Sequence, residues 1–145
     1  MLLHDDSLSI RAIGADVRRA SDWLDQTCEQ RAVPQAAAQR LVLSLNEALA
    51  NIICHGGVTA LSSPVLIHLA VIGDAQCGKA SVTVSDAGIA FNPLAVAEKS
   101  RPKTLADSSP GGLGLVMIRR FSDALDYRHE AGLNHFTFCT TWKTQ

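Results

Sequence analysis

The sequence predicts a single α/β (α+β) domain built as a two-layer sandwich, with a mixed, mostly antiparallel sheet and helices on one of its faces. The predicted elements run in the order helix, helix, strand, strand, loop, helix, strand, strand, and short turns join the strands of each pair. Such strands pair antiparallel, and amphipathic helices must cover a sheet face. The 145 residues, 47% of them hydrophobic, suffice for one domain with one core.

The helices are predicted from apolar residues that recur at three- and four-residue steps. Pro34 suits the first turn of the second helix, which starts near Gln35, and Gly56 with Gly57 ends it. The third helix opens on glycines, whereas Val58 to Ser63 is interpreted as a turn-rich connection. The predicted helices are Asp16–Arg31, Gln35–His55 and Gly111–Phe121.

The strands are predicted from β-branched and alternating residues between turn sequences. Asp74 to Gly78 and Ala131-Gly132 predict two tight turns, and Ser7 to Ile13 alternates weakly, as a short strand or an extended lead-in. Phe136 and Phe138 share one face of the last strand. The predicted strands are Val65–Ile72, Ala80–Ser85, Ala124–His129 and Asn134–Trp142.

Composition indicates a cytoplasmic protein without a membrane or direct nucleic-acid partner. The net charge is −1, so no overall field attracts polyanions. The first residues lack the basic and apolar regions of a signal peptide, and no apolar run reaches the ~20 residues that span a bilayer. The four scattered cysteines form no C-x-x-C pair and are interpreted as reduced thiols: Cys28, Cys54, Cys77 and Cys139.

The second helix carries a polar stripe opposite a broad apolar arc. Glu47, Asn51 and His55 follow one another at one-turn intervals and therefore share this stripe. A carboxylate and a carboxamide one turn apart offer a base and a neutral oxygen ligand to one small volume, which suits a hard cation beside an activated hydroxyl. A solvated face of a surface helix is the alternative interpretation.

Two glycine-bearing segments follow. Asp86-Ala87-Gly88 ends a strand, where a carboxylate can accept a hydrogen bond from an exocyclic amine and a glycine admits a flat ring; a plain turn is the alternative. Gly111 to Leu115 exposes backbone N–H groups at the positive end of a helix, which is a weak signal of phosphate binding. Between them, residues 91–110 have no sustained period and are interpreted as a lid or a disordered segment.

In combination, these motifs resemble the GHKL superfamily, which includes gyrase B, MutL and histidine-kinase catalytic domains and shares the Bergerat ATP-binding fold. The pattern is E-x-x-x-N on a helix, D-x-G-x-x-F after a strand and G-G-L-G-L before a helix. The chain length and the motif sequences are most similar to those of the stand-alone anti-sigma factor serine/threonine kinases. The resemblance covers nearly the whole chain, through Asn46–His55, Val84–Gly88, Gly112–Asp123 and Tyr127–Phe138.

The resemblance implies a site for ATP and Mg²⁺. Asn51 would ligate the Mg²⁺ that bridges the phosphates, and Glu47 would be the general base for an attacking serine hydroxyl. Asp86 would bind the adenine amine with Gly88 under the ring, and Thr137 would support the adenine through water.

The phosphates are expected to meet backbone N–H groups of the glycine-rich helix start. His55 is grouped with the nucleotide-binding residues because it continues the polar stripe. Ala90 stands where the family often has a second glycine, which stiffens the turn beside the ring. The expected phosphate contacts are Gly112, Gly114 and Leu115, with Lys99, Arg101 or Lys103 reaching in from the lid or remaining solvated.

The function implied by this resemblance is an anti-sigma factor serine kinase. It would bind Mg-ATP, phosphorylate a serine of an anti-anti-sigma (STAS) protein and sequester a sigma factor, and relatives of this type often pair as homodimers. Two alternatives stay open: an anti-sigma module that binds ATP without transferring phosphate, and a detached histidine-kinase catalytic domain. The presence of Glu47 favours a catalytic kinase over the module that does not transfer phosphate. The histidine-kinase interpretation is weakened because no phosphoacceptor-histidine helix precedes the ATP-binding motifs.

Overall fold

A computed structural model describes residues 3–94 and 112–144 of the chain. Within these ranges the fold has four helices and five strands; the three predicted helices and four predicted strands occur in the predicted order, with a strand before them and a short helix after the second helix in addition. The elements are β1 (Leu3–Ile10), α1 (Gly14–Gln30), α2 (Gln35–His55), α3 (Gly57–Ser62), β2 (Val65–Gly73), β3 (Cys77–Asp86), α4 (Gly112–Phe121), β4 (Ala124–Glu130) and β5 (Leu133–Lys143).

The five strands form one sheet in the order β1-β2-β3-β5-β4, and every neighbouring pair is antiparallel. The predicted class, an α+β sandwich with a mostly antiparallel sheet, is therefore confirmed. Strand β5 lies between β3 and β4, so the end of β3 meets the start of β5. In this register Asp86 pairs with Asn134 and Val84 pairs with Phe136.

The core lies between the helices and the inner face of the sheet. Helix α2 contributes its leucine ridge, Leu41, Leu45 and Leu49, and all three side chains are buried. Opposite them lie alternate residues of the central strands, including Val82 and Phe138, which are also fully buried. Apolar residues recur with a 3.6-residue period on the helix and a two-residue period on the strands. Each element therefore has one apolar face, and the core forms where these faces pack together.

Strand β1 begins and ends earlier than the sequence analysis proposed. Its inner face includes Asp6. This polar residue interrupts the alternation of apolar and polar residues from which a strand would be predicted. Asp6 is held there by Arg31, whose Nε and Nη2 donate to the two carboxylate oxygens at 2.9 Å each. The bidentate pair connects the edge strand to the residue that follows α1.

The prediction for Val58 to Ser63 is wrong, because this connection contains helix α3. Gly57 adopts a φ of 79°, which breaks the α2 helix and lets a new helical turn begin at once. Most of the predicted lid, residues 95–110, lies outside the described residues. No described helix is long and apolar enough to cross a membrane.

Candidate functional site

A cavity lies where the C-terminal half of α2 faces the adjoining ends of β3 and β5, beside the start of α4. Its apolar walls come from all of these elements, and its polar groups gather on the α2 and β3–β5 sides. Counting the part open to solvent, it encloses about 490 Å³. It is lined by Ala48, Asn51, Ile52, His55, Gly56, Val84, Asp86, Ile89, Phe91, Pro93, Leu115, Tyr127, Asn134 and Phe136.

Asp86 lines this cavity with its carboxylate-bearing side chain largely buried. The residue is only 7% exposed. Its Oδ1 accepts hydrogen bonds from the Gly88 N–H at 2.9 Å and from Asn134 Nδ2 at 3.2 Å. Its Oδ2 accepts none from the described residues. A buried oxygen acceptor beside apolar walls is suited to a planar ring that carries an amine.

Gly88 is required by close packing against the end of α2. A Cβ at this position would lie 2.8 Å from the carbonyl oxygen of Gly56 and 2.8 Å from Asp86 Oδ1. The next residue, Ile89, donates its N–H to the same Gly56 carbonyl at 3.0 Å. Gly88 itself is not among the cavity-lining residues, so its glycine identity fixes the turn that holds Asp86.

Asn51 is the most unusual polar residue of the cavity. It is 9% exposed, and both its Oδ1 and its Nδ2 are fully enclosed without a hydrogen-bond partner among the described residues. An unpaired buried carboxamide costs about 1–3 kcal/mol. Evolved structures rarely retain such groups, so an orphaned carboxamide in a cavity indicates a ligand.

The Asn51 carboxamide fits a magnesium ion that arrives with a phosphorylated ligand. Mg²⁺ prefers oxygen ligands and usually keeps several waters, with only one or two protein ligands and the rest from phosphates. The described residues contain no cluster of three or more His, Cys, Asp or Glu side chains that could hold a metal alone. A single amide oxygen therefore suits a shared ion and does not suit a permanent metal site.

Glu47 lies one turn before Asn51 and contacts a different wall. Its carboxylate rests against the first turn of α4, and a Cβ on Gly114 would overlap Glu47 Oε2. Gly114 thus supplies the space that the carboxylate occupies. Leu115, the next residue, is buried and closes the cavity wall. Gly112 starts α4, so the predicted base lies directly against the helix start that carries the predicted phosphate-binding glycines.

His55 lines the mouth of the cavity, where its ring stacks on Phe91 with centroids 6.4 Å apart and an interplanar angle of 21°. It is exposed, unlike Asn51 one turn earlier. The stripe predicted on α2 therefore runs from the α4 contact at Glu47 to the cavity mouth at His55. The predicted lid residues Lys99, Arg101 and Lys103 lie outside the described residues.

Thr137 is not brought to this cavity. Its side chain lies on the outer face of the sheet, where its Oγ1 is 2.8 Å from Thr83 Oγ1. On β5, Asn134 and Phe136 face inward and line the cavity, so Thr137, one residue after Phe136, must point outward.

Two residues that the sequence analysis did not select belong to the site. Asn134 is 5% exposed and bonds to the Asp86 carboxylate, and Tyr127 donates its hydroxyl to Asn134 Oδ1 at 2.6 Å. One signal could have identified Asn134. The last strand was predicted to begin there and Asp86 to follow the end of β3, so antiparallel pairing brings the two together.

With this geometry established, the class of protein follows from comparison. The chain matches the family described as Histidine kinase-like ATPase domain over residues 10–140, and it belongs to that family. The predicted GHKL resemblance is thereby confirmed.

One relative is named as a protein kinase. The chain is 29% identical to the Serine/threonine-protein kinase BtrW of Bordetella bronchiseptica over 132 residues, 91% of this chain and 90% of that protein. Among solved structures, it is similar to the RsbU and RsbW domains of a Mycobacterium tuberculosis protein (TM-score 0.65, 17% identity, 97% of this chain). It spans about a third (34%) of that chain.

The fold is also similar to that of a chain in the SiaB-SiaC complex from Pseudomonas aeruginosa, with a TM-score of 0.59, 13% identity, and coverage of 94% of this chain and 89% of that one. At these identities the two structures support the fold alone.

Proposed function

We propose that this protein is an ATP-dependent serine kinase that acts on an anti-anti-sigma (STAS) protein and sequesters a sigma factor. The observation that carries the ATP site is the pairing, in one cavity, of a buried carboxylate acceptor at Asp86 with an orphaned carboxamide at Asn51. The first suits an adenine amine and the second suits a metal-bound phosphate. The identity with a named serine/threonine kinase supports the reaction.

The base is expected to enter the apolar part of the cavity. The inner face of the sheet supplies Val84 and Phe136, and α2 supplies Ile52, so both faces of a purine would meet hydrocarbon. Asp86 Oδ2 would accept from the exocyclic amine. The triphosphate would then extend toward Asn51 and the first turn of α4, where backbone N–H groups and the helix dipole favour negative charge.

Glu47 would serve as the general base. When bound, Mg²⁺ would neutralise charge that develops on the phosphates, with Asn51 as its protein ligand. The Glu47 carboxylate would take the proton of the incoming serine hydroxyl as the serine oxygen forms a bond to the γ-phosphorus. The bond from that phosphorus to the β–γ bridging oxygen breaks, and ADP leaves. General-base help of this kind contributes about 10²–10⁴-fold in rate.

The test is a transfer assay with labelled ATP and candidate STAS proteins from the same genome, run together with a nucleotide-binding titration. Glu47→Ala should abolish transfer and leave ATP affinity nearly intact, because the carboxylate lies against α4 and outside the base cavity. Glu29→Ala is the matched control, since Glu29 is an exposed glutamate on α1.

The same assay separates the alternatives. A wild-type protein that binds ATP but phosphorylates no serine partner would favour a non-catalytic anti-sigma module. Transfer at the wild-type rate by Glu47→Ala would remove this residue from the reaction. Binding of the sigma factor is tested separately, by co-purification with and without ATP.

A further inference from the structure

We infer that Asn134 and Tyr127 are positioning residues that make the site selective for a purine with a 6-amino group over one with a 6-oxo group. The inference deepens the proposed function, since it rests on the assignment of Asp86 to the base. Both residues line the cavity, and their hydrogen bonds would act on the ligand through Asp86.

The Asn134 carboxamide has no hydrogen-bonding capacity left for a ligand. Its Nδ2 faces three acceptors: Asp86 Oδ1 at 3.2 Å, the Gly88 carbonyl at 3.3 Å and the Ile89 carbonyl at 3.0 Å. Its Oδ1 accepts from the Tyr127 hydroxyl at 2.6 Å and from the Phe91 N–H at 3.3 Å. An amide has two N–H hydrogens and two oxygen lone pairs, so all of them are engaged.

This arrangement also fixes the direction of the amide. A flipped Asn134 would turn its oxygen toward three acceptors and its NH₂ group toward the Phe91 N–H, which can only donate. The Tyr127 hydroxyl makes the shortest contact and lies on the neighbouring strand β4, close to Asn134 across the sheet. Tyr127 therefore holds in place a carboxamide whose Nδ2 faces Asp86.

The consequence for Asp86 is that its two oxygens become unequal. Oδ1 receives N–H donors from Asn134 and Gly88, whereas Oδ2 has no donor in the part of the chain that the structure describes, and Asp86 lines the cavity. A carboxylate held in this way can only accept a hydrogen bond at Oδ2. A 6-amino group supplies that hydrogen, whereas a 6-oxo group would place a second acceptor against it.

Discrimination of this kind can be large, because a site built around a hydrogen bond is left with an unpaired polar group when an isosteric ligand lacks the donor. Without Asn134, the Asp86 carboxylate would lose one of its two fixed donors and could rotate. It could then admit a water between its oxygens and the ligand, so the 6-oxo analogue would be tolerated better.

The test measures dissociation constants of Mg-ATP and Mg-ITP for the wild type, Tyr127→Phe and Asn134→Leu. ITP differs from ATP at the 6-position and at N1, which carries a hydrogen, so the ITP:ATP ratio of dissociation constants reports this subsite. We expect a wild-type ratio of about tenfold or more, and a ratio at least about fivefold smaller in each variant. Thr137→Val is the matched control on the outer face of the same strand and should keep the wild-type ratio.

Tyr127→Phe removes one hydroxyl from a half-buried side chain, so it keeps the inference testable if Asn134→Leu does not fold. Loss of selectivity in Tyr127→Phe, with thermal unfolding like that of the wild type, supports the inference. A selective wild type and a Tyr127→Phe protein of equal selectivity refute it and leave the ATP site standing. A wild type without measurable ATP affinity refutes the proposed function and this inference together.

Discussion

We expect the Asn51 carboxamide to lower the free energy of unfolding of the unliganded protein, compared with an apolar side chain of the same shape. Its carboxamide is enclosed by α2 and the cavity wall, and neither polar atom has a partner among the described residues. Replacing it by leucine, which has nearly the same shape, removes the desolvation cost and retains the packing. The expected gain is about 1–3 kcal/mol. For a chain of this length, about 1 kcal/mol corresponds to roughly 3 °C in melting temperature.

Asn51→Leu is therefore expected to melt several degrees above the wild type in the absence of nucleotide. Saturating Mg-ATP should raise the melting temperature of the wild type, since a ligand that binds only the folded state stabilises it. It should not raise that of Asn51→Leu, because the amide oxygen that would hold the metal is gone. As Mg-ATP is added, the melting temperature of the wild type should therefore approach or exceed that of Asn51→Leu.

Asn46 provides the matched control on the same helix. Its Oδ1 accepts a hydrogen bond from the Ser21 hydroxyl on α1, so its carboxamide is already paired within the protein. Asn46→Leu should lower the melting temperature with and without nucleotide. The reasoning fails if Asn51→Leu is destabilised as much as Asn46→Leu, since Asn51 would then contribute to the fold and not to a ligand.

Three further outcomes are expected. Asp86→Asn should keep the fold and weaken ATP binding by about tenfold to a hundredfold, because the carboxamide loses the charge-assisted bond; unchanged affinity in calorimetry would exclude the assignment. Gly114→Ala should reduce phosphotransfer more than ATP affinity, since its methyl group would displace the Glu47 carboxylate; equal losses in both measurements would indicate a phosphate contact instead. Asp6→Asn should destabilise the protein by about 0.5–1 kcal/mol at pH 7. Because hydrogen bonding to Arg31 lowers the pKa of Asp6 below its ordinary value of 3.8, this difference should shrink as the pH falls through the lowered pKa, whereas a constant difference in acid would contradict it.

The sequence predicted those parts of the site that depend on local periodicity. Glu47, Asn51 and His55 share a helix face because of their spacing, and the α2 helix preserves that spacing. Asp86 was identified because it leaves a strand whose alternation is regular. Both features are encoded within a few residues, where one period dominates.

The contacts between distant segments could not be predicted in this way. Asn134 meets Asp86, and Tyr127 meets Asn134, through strand register, which depends on the whole sheet. The sequence analysis placed Phe136 and Phe138 on one face of the last strand without saying which face packs on the core; because that face is the inner one, Thr137 between them points outward. The first strand was predicted to begin too late since Asp6, an inward polar residue, is balanced by Arg31 from a distant part of the chain.

The two halves of the site differ in how far they are prepared for a ligand. On the base side, Asp86, Asn134 and Tyr127 form a satisfied network on three strands, and each polar atom that supports the carboxylate has a partner. On the proposed phosphate side, Asn51 is buried with no partner in the described parts of the chain, and Glu47 rests on a glycine that leaves it room. Preorganisation reduces the cost of binding, so the adenine end should set which nucleotide is bound. An orphaned carboxamide lowers the stability of the empty form, so the metal and phosphate end should set how far the bound form is favoured over it. Under the proposed function, different residues of one cavity therefore select the base and favour the form bound to Mg-ATP.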